Sequence, residues 1–322
     1  MKRGLVIGKF MPLHAGHVAL VHFAAGQCDE LIVLLTHSAG DRIPGLLRFE
    51  WLKREFEPLQ NVRPEMLLDH FDDEGIPIND RIPKWTTLAK ERFPPLHVVF
   101  SSEEFGSQLA QHLEVPYISF DLDRRIFPIS STLILAHPFQ YWEFIATSAR
   151  SYFVKKICFY GPESTGKSTM AKRLAEIYHT EFVPEVSKEI ITSNDFTLED
   201  IVQIGQAQTE RVIEKSMIAN KFLFCDTDLI TTQIYCRHYL KEVPPILFQL
   251  EKKVTYDLYF LFDIDVPWVA DGLRDLSDKR LEMFNVFKDE LEKRKIKYEL
   301  LKGDYSEREN KTIRKIESIF IL

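Results

Sequence analysis

Short apolar runs recur along this chain, each followed by a stretch with helical spacing. In the first half they are residues 5–7, 31–35, 98–100 and 117–120; in the second, 156–160, 181–184, 222–225 and 258–262. Runs of this length with no alternating polar positions read as strands buried on both faces, with helices above and below a parallel sheet. Two places predict strand, tight loop and helix in succession. One is strand 5–7, loop 8–17 and a helix over 18–25; the other is strand 156–160, loop 161–167 and a helix over 168–178. The fold class is therefore α/β, with two doubly wound parallel-sheet domains. The chemistry of the two loops differs, and the domains are placed at 1–148 and 149–322. Residues 138–145, rich in aromatics, predict a packed aromatic helix, and 146–153 the connection.

Composition narrows the partners. The 322 residues are 45% hydrophobic and 28% charged, an ordinary globular balance that excludes a disordered or fibrous chain. The net charge is −7, and residues 1–150 carry 15 basic against 19 acidic side chains, so neither half offers a basic footprint for nucleic acid. The four cysteines, Cys28, Cys158, Cys225 and Cys236, lack paired spacing and read as reduced packing residues. The apolar run after Lys2 and Arg3 is stopped by Lys9, too soon for a signal peptide, and no run nears the ~18 residues of a membrane helix. A cytoplasmic protein with no membrane partner is expected; a homo-oligomer is compatible with the sequence.

Gly161-Pro162-Glu163-Ser164-Thr165-Gly166-Lys167-Ser168 fits G-x-x-x-x-G-K-[ST], after a strand and before a helix. The glycines let backbone N–H groups curl around a phosphate, and the helix N-terminus adds positive potential. Lys167 is expected to reach the β and γ oxygens of ATP, with Ser168 on Mg2+ and Thr169 beside it. Asp226, at the end of the run 222–225, is the expected second metal ligand, with Asp228 supporting it at the substrate. Glu185 follows the run 181–184, at the carboxyl edge where ligands bind such sheets. It is the candidate base or ribose-hydroxyl ligand, with Glu189 the alternative. Arg274, between a strand and the last helix, is the candidate lid arginine.

In the first half, Gly8-Lys9-Phe10-Met11-Pro12-Leu13-His14-Ala15-Gly16-His17 spans a strand–helix junction. A spacing of three is expected to put both imidazoles on one face of the first helical turn, near its positive end, with Gly16 leaving that surface bare. This string resembles the nucleotidyltransferase superfamily signature. Lys9 within it resembles the nicotinamide mononucleotide adenylyltransferases. Essentially the whole chain is similar to the NadR-type bifunctional family, a nucleotidyltransferase Rossmann-like domain followed by a P-loop ribosylnicotinamide kinase. The shared segments include Asp73-Glu74-Gly75-Ile76-Pro77, Phe100-Ser101-Ser102-Glu103, Pro138-Phe139-Gln140-Tyr141-Trp142, Asp226-Thr227-Asp228 and Asp271-Gly272-Leu273-Arg274.

The resemblance implies NAD salvage: the kinase phosphorylates nicotinamide riboside with ATP, and the transferase joins the mononucleotide to AMP from a second ATP. It implies catalytic roles for His14, His17 and Lys9, and ATP contacts at Gly8, Phe10, Gly16, Ser101, Ser102, Ser130 and Thr132. It also implies nicotinamide stacking on Trp85. Regulatory members carry an N-terminal helix-turn-helix, whereas this sequence starts at its first strand, so no repressor role is expected. One departure stands out. The family's second transferase signature, roughly I-S-x-T-[KR]-x-R, is Ile129-Ser130-Ser131-Thr132-Leu133-Ile134-Leu135 here, with leucines where cations grip ATP. Losing a preorganised phosphate ligand commonly costs about 10²–10³ in rate. Arg124, Arg125, Arg42 or Arg48 could substitute; alternatively, the domain senses NAD or its mononucleotide without turnover. An adenylyltransferase with another acceptor is a further alternative.

Overall fold

The structure, a computed structural model, describes residues 1–73, 75–193, 195–270 and 276–320. The contacts divide the chain into two compact units, Met1–Arg150 and Ser151–Leu322. In the first, β1 (Arg3–Gly8), β2 (Glu30–His37), β3 (Val62–Leu68), β4 (Val98–Ser101) and β5 (Tyr117–Ser119) lie in the order β3-β2-β1-β4-β5, all parallel. The chain leaves β1 toward one edge and resumes at β4 on the other side, so the loops after β1 and β4 flank a crevice. Residues 31–35 are all buried, as the unbroken apolar run of a central parallel strand requires. On one face the core joins Ile32, Leu34 and Val99 to Ile82, Trp85 and Leu109 from the helices. Each large aliphatic side chain buried this way contributes about 1.5–3 kcal/mol.

The second unit contains β6 (Lys155–Tyr160), β7 (Glu181–Val183), β8 (Phe222–Asp226), β9 (Leu258–Phe262) and β10 (Tyr298–Leu301). Their order is β10-β9-β6-β8-β7, again all parallel. Both sheets have the α/β architecture expected. Two strands, β3 and β10, were not expected, and both are sheet edges. Their sequences, Val-Arg-Pro-Glu-Met-Leu-Leu and Tyr-Glu-Leu-Leu, carry charges because an edge is half wet, and Pro64 is tolerated there because an edge strand can forgo a ladder bond.

The aromatic segment 138–145 corrects the expectation of a helix. It forms turns and the single 3-10 turn Trp142–Phe144, with Trp142 buried and the Arg150 guanidinium 5.8 Å from its ring. Pro138 opens the segment, and its large rings pack individually rather than along one helical stripe. Among the described residues no disulfide forms: Cys158, Cys225 and Cys236 are buried, and Cys28 is partly so.

Candidate active sites

The loop after β6 is built as its glycines demand. Gly161 and Gly166 take φ of 133° and 91°, and a Cβ on Gly161 would come within 3.0 Å of the Phe262 carbonyl oxygen. Inside the curl, the Lys167 ammonium donates to the Pro162 carbonyl at 2.7 Å, and the Thr165 hydroxyl donates to the same oxygen at 2.8 Å. Burial pushes the Lys167 pKa down, against the pull of Asp226 and Glu185. The loop is braced from behind by Arg308, which donates to the Thr165 carbonyl at 2.8 Å and the Asp263 carbonyl at 3.1 Å and pairs with Asp265.

Two strand ends and the helix that follows the loop bring two acids and a hydroxyl together. Ser168, in the first turn of the helix Lys167–Ile177, donates its hydroxyl proton to Asp226 Oδ2 at the end of β8. Asp226 is 1% exposed, and its Oδ1 has no partner among the described residues. Burial and the neighbouring Glu185 push its carboxyl up. Glu185, after β7, accepts from the Ser187 hydroxyl at 2.8 Å and pairs with Lys188 at 3.1 Å. Burial raises its carboxyl pKa, but Lys188 and Lys167 outweigh this and hold it below the ordinary value. A cavity of about 510 Å³ opens over these groups, lined by the loop through Thr169, Glu185 and Lys188.

The opposite wall is aromatic. Tyr235 and Tyr239, one turn apart on the helix Leu229–Leu240, stack 6.4 Å apart, and Phe196 meets Tyr239 edge-on at 5.5 Å. The Tyr235 hydroxyl accepts the Glu163 N–H at 3.1 Å, tying this wall to the phosphate loop. Gln208 accepts the Val186 N–H at 2.9 Å through Oε1 and leaves Nε2 without a partner among the described residues. Thr227, held at φ 81°, likewise has a buried hydroxyl without one. Sequence reasoning missed Lys188, Gln208, Thr227, Tyr235 and Tyr239. The four-residue spacing of the two tyrosines, right after the acid strand, was the one signal present.

Two expectations in this unit change. Asp228 is not at the cavity. It caps the helix Leu229–Leu240, accepting from Thr231 N–H at 3.0 Å and from the Tyr259 hydroxyl at 3.0 Å, and is 1% exposed. Glu189 pairs with Arg211 and is not among the cavity residues. Arg274 lies outside the described residues.

In the first unit, His14 precedes the helix Ala15–Ala25 as its N-cap, in extended backbone, rather than sharing its first turn with His17. The two rings nevertheless stack at 3.7 Å, 24° apart, with Phe10 edge-on to His17 at 5.0 Å. Gly16 makes this possible, since a Cβ there would press on the His14 ring at 3.2 Å. Both Nδ1 atoms are buried without partners among the described residues. Burial, aided by Arg124, pushes His14 down to about 4, and burial with the charges of His14 and Arg124 pushes His17 well below its ordinary value.

Both imidazoles are therefore neutral donors or acceptors at physiological pH. Unfolding restores His14 to near 6.5, so below that pH the unfolded chain binds the extra proton and stability falls. The loss develops from pH 6.5 down to about 4 and reaches roughly 3 kcal/mol for His14. Thermal melts between pH 7.5 and 4.5 should show this slope, and His14→Leu should reduce it, leaving the part that His17 contributes.

Lys9 lies between Asp41, at 3.0 Å, and Asp72. Burial alone would lower its pKa; the two carboxylates raise it above the ordinary value. Arg81 also meets Asp72, and it lies 3.3 Å from Asp69. Arg48 cannot serve as a phosphate ligand: it is fully buried, pairs with Asp41 and donates to the carbonyls of Ile43 and Lys9. Arg48→Met should cost about 2–3 kcal/mol in urea unfolding, because the buried carbonyls of Ile43 and Lys9 lose their donor and Asp41 is left with Lys9 and Ser38 alone.

Trp85 likewise corrects its expectation. It is a core residue, 5% exposed, its indole N–H donating to Asp69 at 3.1 Å and its ring edge-on to Phe105 at 6.1 Å. Ser101 is buried, its hydroxyl bonded within its own loop at Glu103, whereas Ser102 lines an open depression with Asn79, Phe105, Gln108 and Arg124. Gly8 closes β1, and Phe10 is buried. Ser130 caps the helix Ser131–Ala136, on which Thr132 and Leu133 are exposed and Leu135 half-buried. Arg42 and Arg125 are exposed. Arg124 donates to the Ile129 carbonyl at 3.1 Å, pairs with Glu103 and acts electrostatically on both histidines. Of the four substitute arginines, it is the one that acts on the histidine pair.

A phosphate loop closed by an acid-tipped strand, and a separate parallel sheet with a stacked histidine pair at its switch point, define a two-domain α/β protein of nucleotide-dependent group transfer. The second unit matches an AAA domain model over residues 156–308. The trifunctional NAD biosynthesis/regulator protein NadR of Salmonella typhimurium strain LT2 is 32% identical over 300 residues, 85% of this chain and 72% of its own. The chain belongs to the NadR family. A crystal structure of NadR protein in complex with NR superposes with a TM-score of 0.83 at 20% identity, covering 100% of this chain and 96% of that one. Another, in complex with NAD and AMP-PNP, gives 0.81 at 20% identity, covering 100% and 97%. Among the described residues no helix is long and apolar enough to cross a membrane.

Proposed function

We propose that this protein makes NAD by salvage, with riboside phosphorylation in residues 151–322 and adenylyl transfer in 1–150. The observation that carries this reading is the pairing, in one chain, of a complete P-loop cavity walled by tyrosines and a histidine-lined nucleotidyltransferase loop. A flat pyridinium acceptor suits Tyr235 and Tyr239, since a cation over aromatic faces gains electrostatic attraction. Glu185, low in pKa and at the cavity, would orient the riboside hydroxyl and take its proton as oxygen attacks the γ-phosphorus and ADP leaves.

The Ser168 hydroxyl and Asp226 Oδ1, which has no partner among the described residues, suit a Mg2+ ion that arrives with ATP. Among the described residues no group of three His, Cys, Asp or Glu side chains forms a metal site of its own. Bound there, Mg2+ would neutralise charge on the β and γ oxygens.

In the first unit the mononucleotide phosphate would attack the α-phosphorus of ATP and pyrophosphate would leave. Neutral His14 and His17 would donate hydrogen bonds to the developing charge. Arg124 would supply the positive charge that Leu133 and Leu135 lack. Nicotinamide riboside, nicotinamide mononucleotide and ATP are then the small-molecule partners.

The test is one assay of purified protein with Mg2+-ATP, offered riboside or mononucleotide separately. Mononucleotide formed from the first and dinucleotide from the second are expected. An exposed Leu133 on the helix Ser131–Ala136, where the family signature has a cation, favours a second reading, in which dinucleotide binds without being formed. Binding without turnover of the mononucleotide would establish it. No product from either substrate would remove the nicotinamide assignment.

A further inference from the structure

Within the kinase cavity Lys188 enters the reaction as described only through its charge on Glu185. The Lys188 ammonium donates to Ser168 Oγ at 2.9 Å, lies 3.1 Å from Glu185 Oε2 and is 3.7 Å from Asp226 Oδ2. These oxygens come from three separate elements: the helix after the P-loop, the end of β7 and the end of β8. They include both side chains assigned above to the divalent cation. We propose that Lys188 is a positioning residue that competes with that cation. Its ammonium holds the three oxygens together until metal and nucleotide enter, and it must then withdraw. This rests on the kinase reading above.

The hydrogen-bond accounting supports the competition. The Ser168 hydroxyl has one proton, which goes to Asp226, so it can only accept from Lys188. One of its two lone pairs is thereby occupied by an ammonium. A metal ion ligated by the same oxygen would place a double positive charge within about 4 Å of Lys188, with little water between them. Like charges at that range weaken binding by on the order of tenfold or more. Withdrawal is sterically easy. Lys188 is one turn beyond Glu185, on the short helix Ser187–Ile190, and its side chain is 46% exposed, so rotation about its flexible stem carries the charge outward. A lysine serving only the fold would not need three oxygens of the chemistry as partners.

The test titrates Mn2+ alone, without nucleotide, onto the full-length protein by electron paramagnetic resonance. Lys188→Met should bind Mn2+ about tenfold more tightly than the parent. Lys188→Arg, which keeps the charge, should stay within about twofold of it. Asp226→Asn should lose the site, and circular dichroism melts identify folded variants. Equal or weaker Mn2+ binding by folded Lys188→Met, with the site still lost in Asp226→Asn, overturns the competition and leaves the kinase reading intact. Mn2+ binding unchanged in Asp226→Asn overturns the metal assignment and the competition with it. If Lys188→Met does not fold, Lys188→Gln decides by the same criterion.

Discussion

Lys167→Ala should lower riboside phosphorylation by roughly 10³-fold while adenylyl transfer continues at the parental rate. Lys167 is the buried cation of the P-loop, its ammonium held by the Pro162 carbonyl inside the curl where phosphate oxygens would enter. Alanine removes that charge without altering the glycines that shape the loop. Fold should therefore survive, although Asp226 loses one attractive partner. Separate assays for the two products, with thermal melts, check the expectation. A parallel fall in both activities would mean that the two units do not work independently.

The complementary result is expected from His17→Ala. Adenylyl transfer should fall by about 10²–10³, with phosphorylation untouched. His14 and His17 stack face to face, each with a buried nitrogen that has no partner among the described residues, so each ring fixes the position of the other. The pair should therefore behave as a unit. In a double-mutant cycle His14→Ala and His17→Ala together should cost far less than the sum of the separate losses. Full additivity would mean that the rings act on different oxygens without supporting each other.

The parts legible in the sequence were those whose spacing is itself the chemistry. In residues 161–168 the glycines and the lysine are fixed by the geometry of a tight backbone curl, Gly161 and Gly166 at positive φ and Lys167 turned inward to the Pro162 carbonyl. Glu185 and Asp226 were legible because a parallel sheet puts strand ends at its ligand edge. Lys188, Gln208 and Tyr235 were not, since tertiary packing alone brings their helices around the cavity. Asp228, Arg48 and Trp85 failed for the opposite reason. Their polar or aromatic character suggested a ligand, but burial had already supplied each with a partner inside the protein. Strands β3 and β10 escaped notice because edge strands carry the charges that a core strand excludes.

Arg308 sets a limit on how far the kinase unit can be trimmed. The phosphate loop lies more than 130 residues earlier in the chain, yet its Thr165 carbonyl is tied to this arginine on the helix Tyr305–Phe320. The AAA domain match ends on the same residue. A fragment cut between the loop and Arg308 would keep every residue of the signature and still lose the brace on the Thr165 carbonyl. The minimal catalytic piece is thus longer than its motif, and an inactive truncation would say nothing against the motif itself.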